Sequence, residues 1–260
     1  MVSIGGMGTL DFIGNTMTAG LISGALGINV AHEIGHRPEQ YNQWVSRMLL
    51  LPSLYLHFNI EHNRGHHKNV ATPNDPATSR YGENFYAFWF RTVIGSVRSA
   101  WNIECCDVVR RGAPKYSFSN QMIQFGIIQL AYLIVIGIIF GPLAMGMAVI
   151  VAILGFSLLE SVNYIEHYGL VRKKLPSGRY EPVQEHHSWN SDHFLGRILL
   201  YELTRHSDHH FKATRKYQIL RHFDHSPQMP LGYPGSMLMA LFPPLWFKIM
   251  HRNKNLCHIQ

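Results

Sequence analysis

Apolar positions in this chain come in blocks. Residues 12–31, FIGNTMTAGLISGALGINVA, are mostly small and apolar, and a helix of about 20 such residues crosses a bilayer. Their glycines permit close helix packing. No basic stretch precedes them, so they do not read as a secretory signal. The strongest block is 121–165, where QMIQFGIIQLAYLIVIGIIF is followed by Gly141-Pro142 and LAMGMAVIVAILGFSLLESVNYI. This pattern predicts two spanning helices, 121–140 and 143–165, joined by a very tight turn. Shorter runs at 48–60 and 237–250 contain Pro52 and Pro243-Pro244. Each is short for a span and is expected at the interface or buried in protein. The expectation is an all-α integral membrane protein, one membrane domain over 1–260, with about three transmembrane helices (12–31, 121–140 and 143–165).

Charge sharpens this topology. The net charge is +7, yet residues 1–31 and 116–171 contain no Lys or Arg. With three spans, 32–120 and 166–260 share one side, and all Lys, Arg and His fall there. The positive-inside tendency makes that side the cytoplasm. Cysteine is sparse, with Cys105 and Cys106 adjacent and Cys257 near the end. That suits a reducing compartment and no disulfide framework. The adjacent pair is expected to be two buried small apolar groups.

Histidine is the outlier, with 17 copies. His32 and His36 sit in HEIGH, which is H-E-x-x-H, the signature of a zinc protease helix. His62, His66 and His67 lie in EHNRGHHKNVATPNDP, His167 in NYIEHYG, and His206, His209 and His210 in RHSDHHFKATRKYQ. At about 100° per helical residue, His206, His209 and His210 occupy one arc. His62 and His66 share a face, and His67 points about 100° away, so a His-His pair can reach two metals from one turn. These imidazoles exceed the four positions of one tetrahedral ion, and two metals follow. Imidazole suits Zn, Cu, Fe and Ni, so the spacing does not name the element. Glu33 reads as a group orienting an imidazole rather than a protease base, and Glu61, Asp75, Glu166 and Asp208 are candidates for the same task. His57, His251 and His258 are not expected to be ligands.

Together, HEIGHR, EHNRGHHKNVATPNDPATSR, NYIEHYGLVR and RHSDHHFKATRKYQ resemble the membrane-bound alkane 1-monooxygenase family. HSWNSDH (187–193) and LRHFDHSPQMPLGY (220–233) extend the resemblance. It implies an inner-membrane, multi-pass enzyme with its active site facing the cytoplasm. It implies two iron ions as a non-haem di-iron centre, held by His32, His36, His62, His66, His67, His167, His206, His209 and His210. It implies that O2 delivers one oxygen atom to the terminal methyl of a medium- or long-chain alkane, giving a 1-alkanol. Electrons would come from rubredoxin and, through it, an NADH-dependent rubredoxin reductase. Such chemistry suits a metal, because an alkane methyl offers no acidic proton or polar handle.

Arg37 stands where the family usually has Lys, Ala213 where it has Pro, and His225 where it has an acidic residue. The family also has further spanning helices before its first histidine motif, so an N-terminally truncated or naturally short member is expected. Arg172-Lys173-Lys174 and Lys212, Arg215, Lys216 and Arg221 suit an acidic redox partner or anionic lipid. No nucleic acid is expected, and a homo-oligomer is allowed for. The rival readings are a xylene-type methyl hydroxylase or other histidine-box membrane oxygenase, an intramembrane zinc protease, and a metal carrier.

Overall fold

Gln121–Phe140 forms one helix and Pro142–His167 the next, with only Gly141 between them. Asn120 caps the first by accepting the Met122 N–H at 2.9 Å. Gly141 ends it with φ 90, a conformation glycine adopts without strain, and Pro142 starts its successor. The tight turn between two long apolar helices is as expected. Both are long and apolar enough to cross a membrane. In the first, Phe125 is the one buried residue; the core helix of a water-soluble protein would bury a whole stripe.

The computed structural model describes residues 8–252. Cys257 and His258 lie outside them. In chain order the helices are α1 (Thr9–Leu21), α2 (Asn29–Gly35), α3 (Gln40–Leu50), α4 (Phe58–Glu61), α5 (His67–Asn69) and α6 (Phe85–Arg110). Then come α7 (Gln121–Phe140), α8 (Pro142–His167), α9 (Phe194–Leu199), α10 (His206–Phe211), α11 (Gly232–Ala240) and α12 (Pro243–Met250). Two π-helical stretches, Ile22–Ile28 and His62–His66, join α1 to α2 and α4 to α5. Among the described residues there are no strands, only two isolated bridges.

The chain divides into two compact units, Met1–Glu61 with Ala100–Leu159, and His62–Ser99 with Glu160–Gln260. In the first, Ile28, Ala31, Leu50, Tyr55, Leu56, Phe58, Ile60, Ala100 and Phe125 form the core. Here the glycines of the 12–31 block act as the sequence suggests. A Cβ on Gly24 would lie 2.8 Å from the Gly155 carbonyl oxygen, and one on Gly20 2.7 Å from Leu154 Cβ. The two backbones meet because neither glycine carries a side chain. Gly24→Leu is therefore expected to destabilise the protein by about 1–3 kcal/mol or more. A lower midpoint of thermal unfolding in detergent would show it, whereas an unchanged midpoint would refute the close approach.

In the second unit, Phe88, Tyr164, Tyr168, Trp189, Tyr233, Trp246 and Met250 are almost wholly buried and belong to one core. The run 237–250 thus supplies buried side chains from α11 and α12, as expected of a segment too short to span. The long helix α6 is not apparent in the hydropathy, because Arg91, Gly95 and Arg98 interrupt its apolar positions. One expectation fails. Cys105 and Cys106 are not buried: on α6 the first is half-buried and the second exposed.

Candidate metal centre

His206 and His210, four apart on α10, share a face, and their ring centroids are 4.4 Å apart. His167 ends α8, and its Nε2 lies 3.3 Å from His206 Nε2. His66 Nε2 lies 3.2 Å from His210 Nε2. These four imidazoles are all buried, and their nitrogens converge within 4.8 Å of one another. Burial and the neighbouring imidazoles of His206, His67, His66 and His167 hold His210 well below the ordinary imidazole range. It stays neutral, the form a metal requires.

His62, His67 and His209 are a separate convergence. His67 Nε2 is 3.0 Å from His62 Nε2, and the His67 and His209 rings are 4.9 Å apart. The His62 and His66 rings lie 5.2 Å apart, yet their nitrogens go to different groups: His62 goes with His67, and His66 joins the other. The cause is local. Residues 62–66 are π-helical, and an i→i+5 turn brings positions five apart together. On α10 the single expected arc is also shared between groups, with His209 in one and His206 and His210 in the other. His32 and His36 lie on and just beyond α2, with rings 5.0 Å apart.

Nitrogens about 2.1 Å from one ion lie roughly 3.0–3.4 Å apart in octahedral or tetrahedral geometry. The observed 3.0, 3.2 and 3.3 Å separations match that spacing. Imidazoles with nitrogens converging in this way therefore fit a metal, and they do so in two separate groups.

The surroundings hold these rings in place. Asp75 Oδ2 faces His66 Nδ1 at 2.8 Å and accepts the Thr78 hydroxyl at 2.6 Å. Burial works to raise the Asp75 carboxyl, but His66 and Thr78 outweigh it and keep it below its usual value. An ionised Asp75 accepts a hydrogen bond from His66 Nδ1–H, which keeps the proton on that nitrogen and leaves the lone pair on Nε2. Arg91 of α6 braces this loop, donating to the carbonyls of Pro76 and Thr78 at 3.0 and 2.9 Å.

The end of α8 has three carbonyls supplied with donors from outside the helix. Ser79 Oγ donates to Tyr164 O, the Trp189 N–H to Glu166 O, and the Leu170 N–H to His167 O. In the HSWNS stretch, Asn190 Oδ1 accepts the Ser207 N–H at 2.8 Å and so seats the first turn of α10.

The other carboxylates differ from one another. Glu166 Oε2 is 3.2 Å from His206 Nε2, on the nitrogen facing His167 rather than behind the ring. Glu61 is buried. Glu33 pairs with Arg37 of its own segment. Asp208, on α10 but turned from the rings, binds Arg215 and Arg221. For Glu33 and Asp208, ordinary ion pairing describes the contacts, in place of the expected support of an imidazole. His57 is buried beside Tyr55, and His251 Nε2 lies 2.8 Å from the Tyr168 hydroxyl.

Sequence reasoning missed one further group, Glu181, His186 and His187. The adjacent His186-His187 was its only signal. His187 Nδ1 accepts the Gln184 N–H at 2.9 Å. Its proton must then sit on Nε2, which faces Glu181 at 3.2 Å. That nitrogen is a donor and offers a metal no lone pair.

The family model described as fatty acid desaturase matches residues 12–235. The chain is 43% identical over 247 residues to alkane 1-monooxygenase 1 of Alcanivorax borkumensis, covering 95% of this chain and 61% of that one. It is 43% identical over 242 residues to an alkane 1-monooxygenase of Pseudomonas putida, covering 93% and 60%. It is 32% identical over 250 residues to the xylene/toluene monooxygenase hydroxylase component XylM of Pseudomonas putida, covering 94% and 65%. The chain thus spans 60–61% of the length of the first two relatives. With the match running through all four histidine motifs, the chain belongs to the fatty acid desaturase family.

Proposed function

We propose that this chain carries the catalytic centre of a non-haem di-iron monooxygenase that hydroxylates the terminal methyl of medium- or long-chain alkanes. The observation that carries the proposal is the pair of histidine groups with converging nitrogens, in a chain similar to alkane 1-monooxygenases. His66, His167, His206 and His210 would hold one iron. His62, His67 and His209 would hold the other, and the family motif adds His32 and His36 to the ligand set. Bound iron supplies the reduction of O2 and the attack on an unactivated C–H bond, which no side chain can perform.

The protein's own part is positioning and exclusion of water. Asp75 holds the proton on His66 Nδ1, and the ends of α8 and α10 fix His167 and His206. The outward faces of α7 and α8 are apolar, which suits spans reaching a substrate dissolved in lipid. We read 12–31 as the third span, the whole as one hydroxylase domain, and the setting as the inner membrane with the histidines toward the cytoplasm.

Electrons would come from rubredoxin and its reductase. Of the basic side chains, Arg172 is buried and donates to Lys68 O at 3.0 Å. Arg215 and Arg221 hold Asp208. In the stretches 172–174 and 212–221, exposed Lys173, Lys174, Lys212 and Lys216 are the cations left for an acidic partner. The likeness to XylM favours one second reading, hydroxylation of a methyl on an aromatic ring.

Elemental analysis after iron-replete expression tests the centre, with two irons per chain expected. One zinc and no iron would sink it. Product analysis with octane and with a methylbenzene then separates the two substrate classes.

A further inference from the structure

Helix α3 turns an apolar face outward. Its exposed large side chains are Tyr41, Trp44 and Met48, at 77%, 60% and 63% exposure. At three and four residues apart they share one face. Three of its polar side chains, Gln43, Ser46 and Arg47, turn inward and bond to protein. Gln43 Nε2 donates to Gly35 O and Arg37 O at 2.7 and 2.6 Å, and Ser46 Oγ to Ala31 O at 2.8 Å. Arg47 donates to Gln121 Oε1 at 2.7 Å and lies over the Phe125 ring. A helix facing water shows the opposite polarity.

The segment after α3 goes deeper. Leu51–Ser53 makes a 3-10 turn and Leu54 takes a left-handed φ of 48, so the chain reverses. The Leu56 N–H then donates to Gln129 Oε1 at 3.1 Å. Gln129 lies eight residues into α7, which is roughly 12 Å along its axis from Gln121. Ser53 Oγ bonds Ser23 Oγ at 2.7 Å. A Cβ on Gly155, at the middle of α8, would sit 2.8 Å from Ser53 Oγ. Tyr55 stacks on Phe156 with centroids 5.1 Å apart. The irregular backbone at the tip therefore has protein partners, the condition for such backbone at membrane depth. It also accounts for a glutamine in the middle of the most apolar helix.

We infer that residues 40–60 form a re-entrant hairpin that enters the bilayer beside the Gln121 end of α7 and presents Tyr41, Trp44 and Met48 to lipid. Its partner is the bilayer interface and the upper acyl chains. Tyr and Trp are the side chains suited to that zone, and Met48, further along α3, lies among the chains. Gln129 is the positioning residue for the tip. The inference rests on α7 spanning the membrane, so its test reads α7 separately.

The test is nitroxide accessibility in lipid nanodiscs. Cys105, Cys106 and Cys257 are first replaced with serine. Single labels follow from Tyr41→Cys, Trp44→Cys and Met48→Cys, with Leu130→Cys and Ile138→Cys as references on α7. Labels at 44 and 48 are expected to be reached by O2 in preference to a water-soluble nickel chelate, as at 130, with 41 intermediate. Preference for the chelate at 44 and 48, or shielding from both reagents, while 130 and 138 read as lipid, would overturn the hairpin alone. Chelate access at 130 and 138 would overturn the span and the hairpin with it. Gln129→Leu adds a second measurement. It removes the acceptor of the Leu56 N–H and is expected to raise hydrogen exchange at 54–57, and no change there would contradict the role of Gln129.

Discussion

Under the proposed function, His167→Ala is expected to abolish hydroxylation, a loss of at least about 100-fold in product formed, while the chain still inserts in the membrane. His167 is fully buried and its ring lies 4.8, 5.1 and 5.1 Å from those of His66, His206 and His210. Alanine removes one of four converging nitrogens. The backbone there is held independently of the ring, by Ser79, Trp189 and Leu170. The helix end should therefore survive, and the defect should be confined to metal. Gas chromatography of alkanol and elemental analysis of the same purified sample decide it. Iron should fall toward half that of the unaltered protein, and full activity with full iron would remove His167 from the ligand set.

Asp75→Leu is expected to weaken metal retention by about 10–100-fold with all nine histidines intact. The carboxylate is buried, and it joins His66 Nδ1, the Thr78 hydroxyl and the Ala77 N–H. Leucine is close in size but accepts no hydrogen bond. His66 then loses the partner that places its proton on Nδ1, and the other tautomer would put that proton on the nitrogen facing His210. Asp75→Asn keeps an acceptor and should fall between the two. Competition with a chelator, followed by the rate of iron loss, orders the three proteins. Equal rates would show that Asp75 serves only its loop.

Much of this molecule is legible along the chain, because the signals are local. Two long apolar blocks with Gly141-Pro142 between them read as two helices and a turn, since glycine and proline punctuate by backbone geometry alone. The histidines stand out by number and spacing, and a search for helix faces finds them without a fold. The sorting of those histidines was not legible. A π turn looks like any other stretch of sequence, yet it pairs His62 with His67 and releases His66 toward His167. Asp75 and Asp208 look alike as acids beside histidine motifs. Only packing shows that one faces His66 and the other faces Arg215 and Arg221.

The sequence by itself determined two segments apolar enough for a membrane, the tight turn between them, and which motifs gather histidines, because composition and short spacing carry that information. Tertiary structure decided the rest. It set which nitrogens converge, which carboxylate holds a ring, and which way α3 faces. In 40–50 the pattern of polar and apolar residues gives a face but not its direction. The inward bonds of Gln43, Ser46 and Arg47, and the reach of Gln129 to the backbone of Leu56, supply the direction. A buried polar group must find its partner in three dimensions, and residues far apart in the chain provide it.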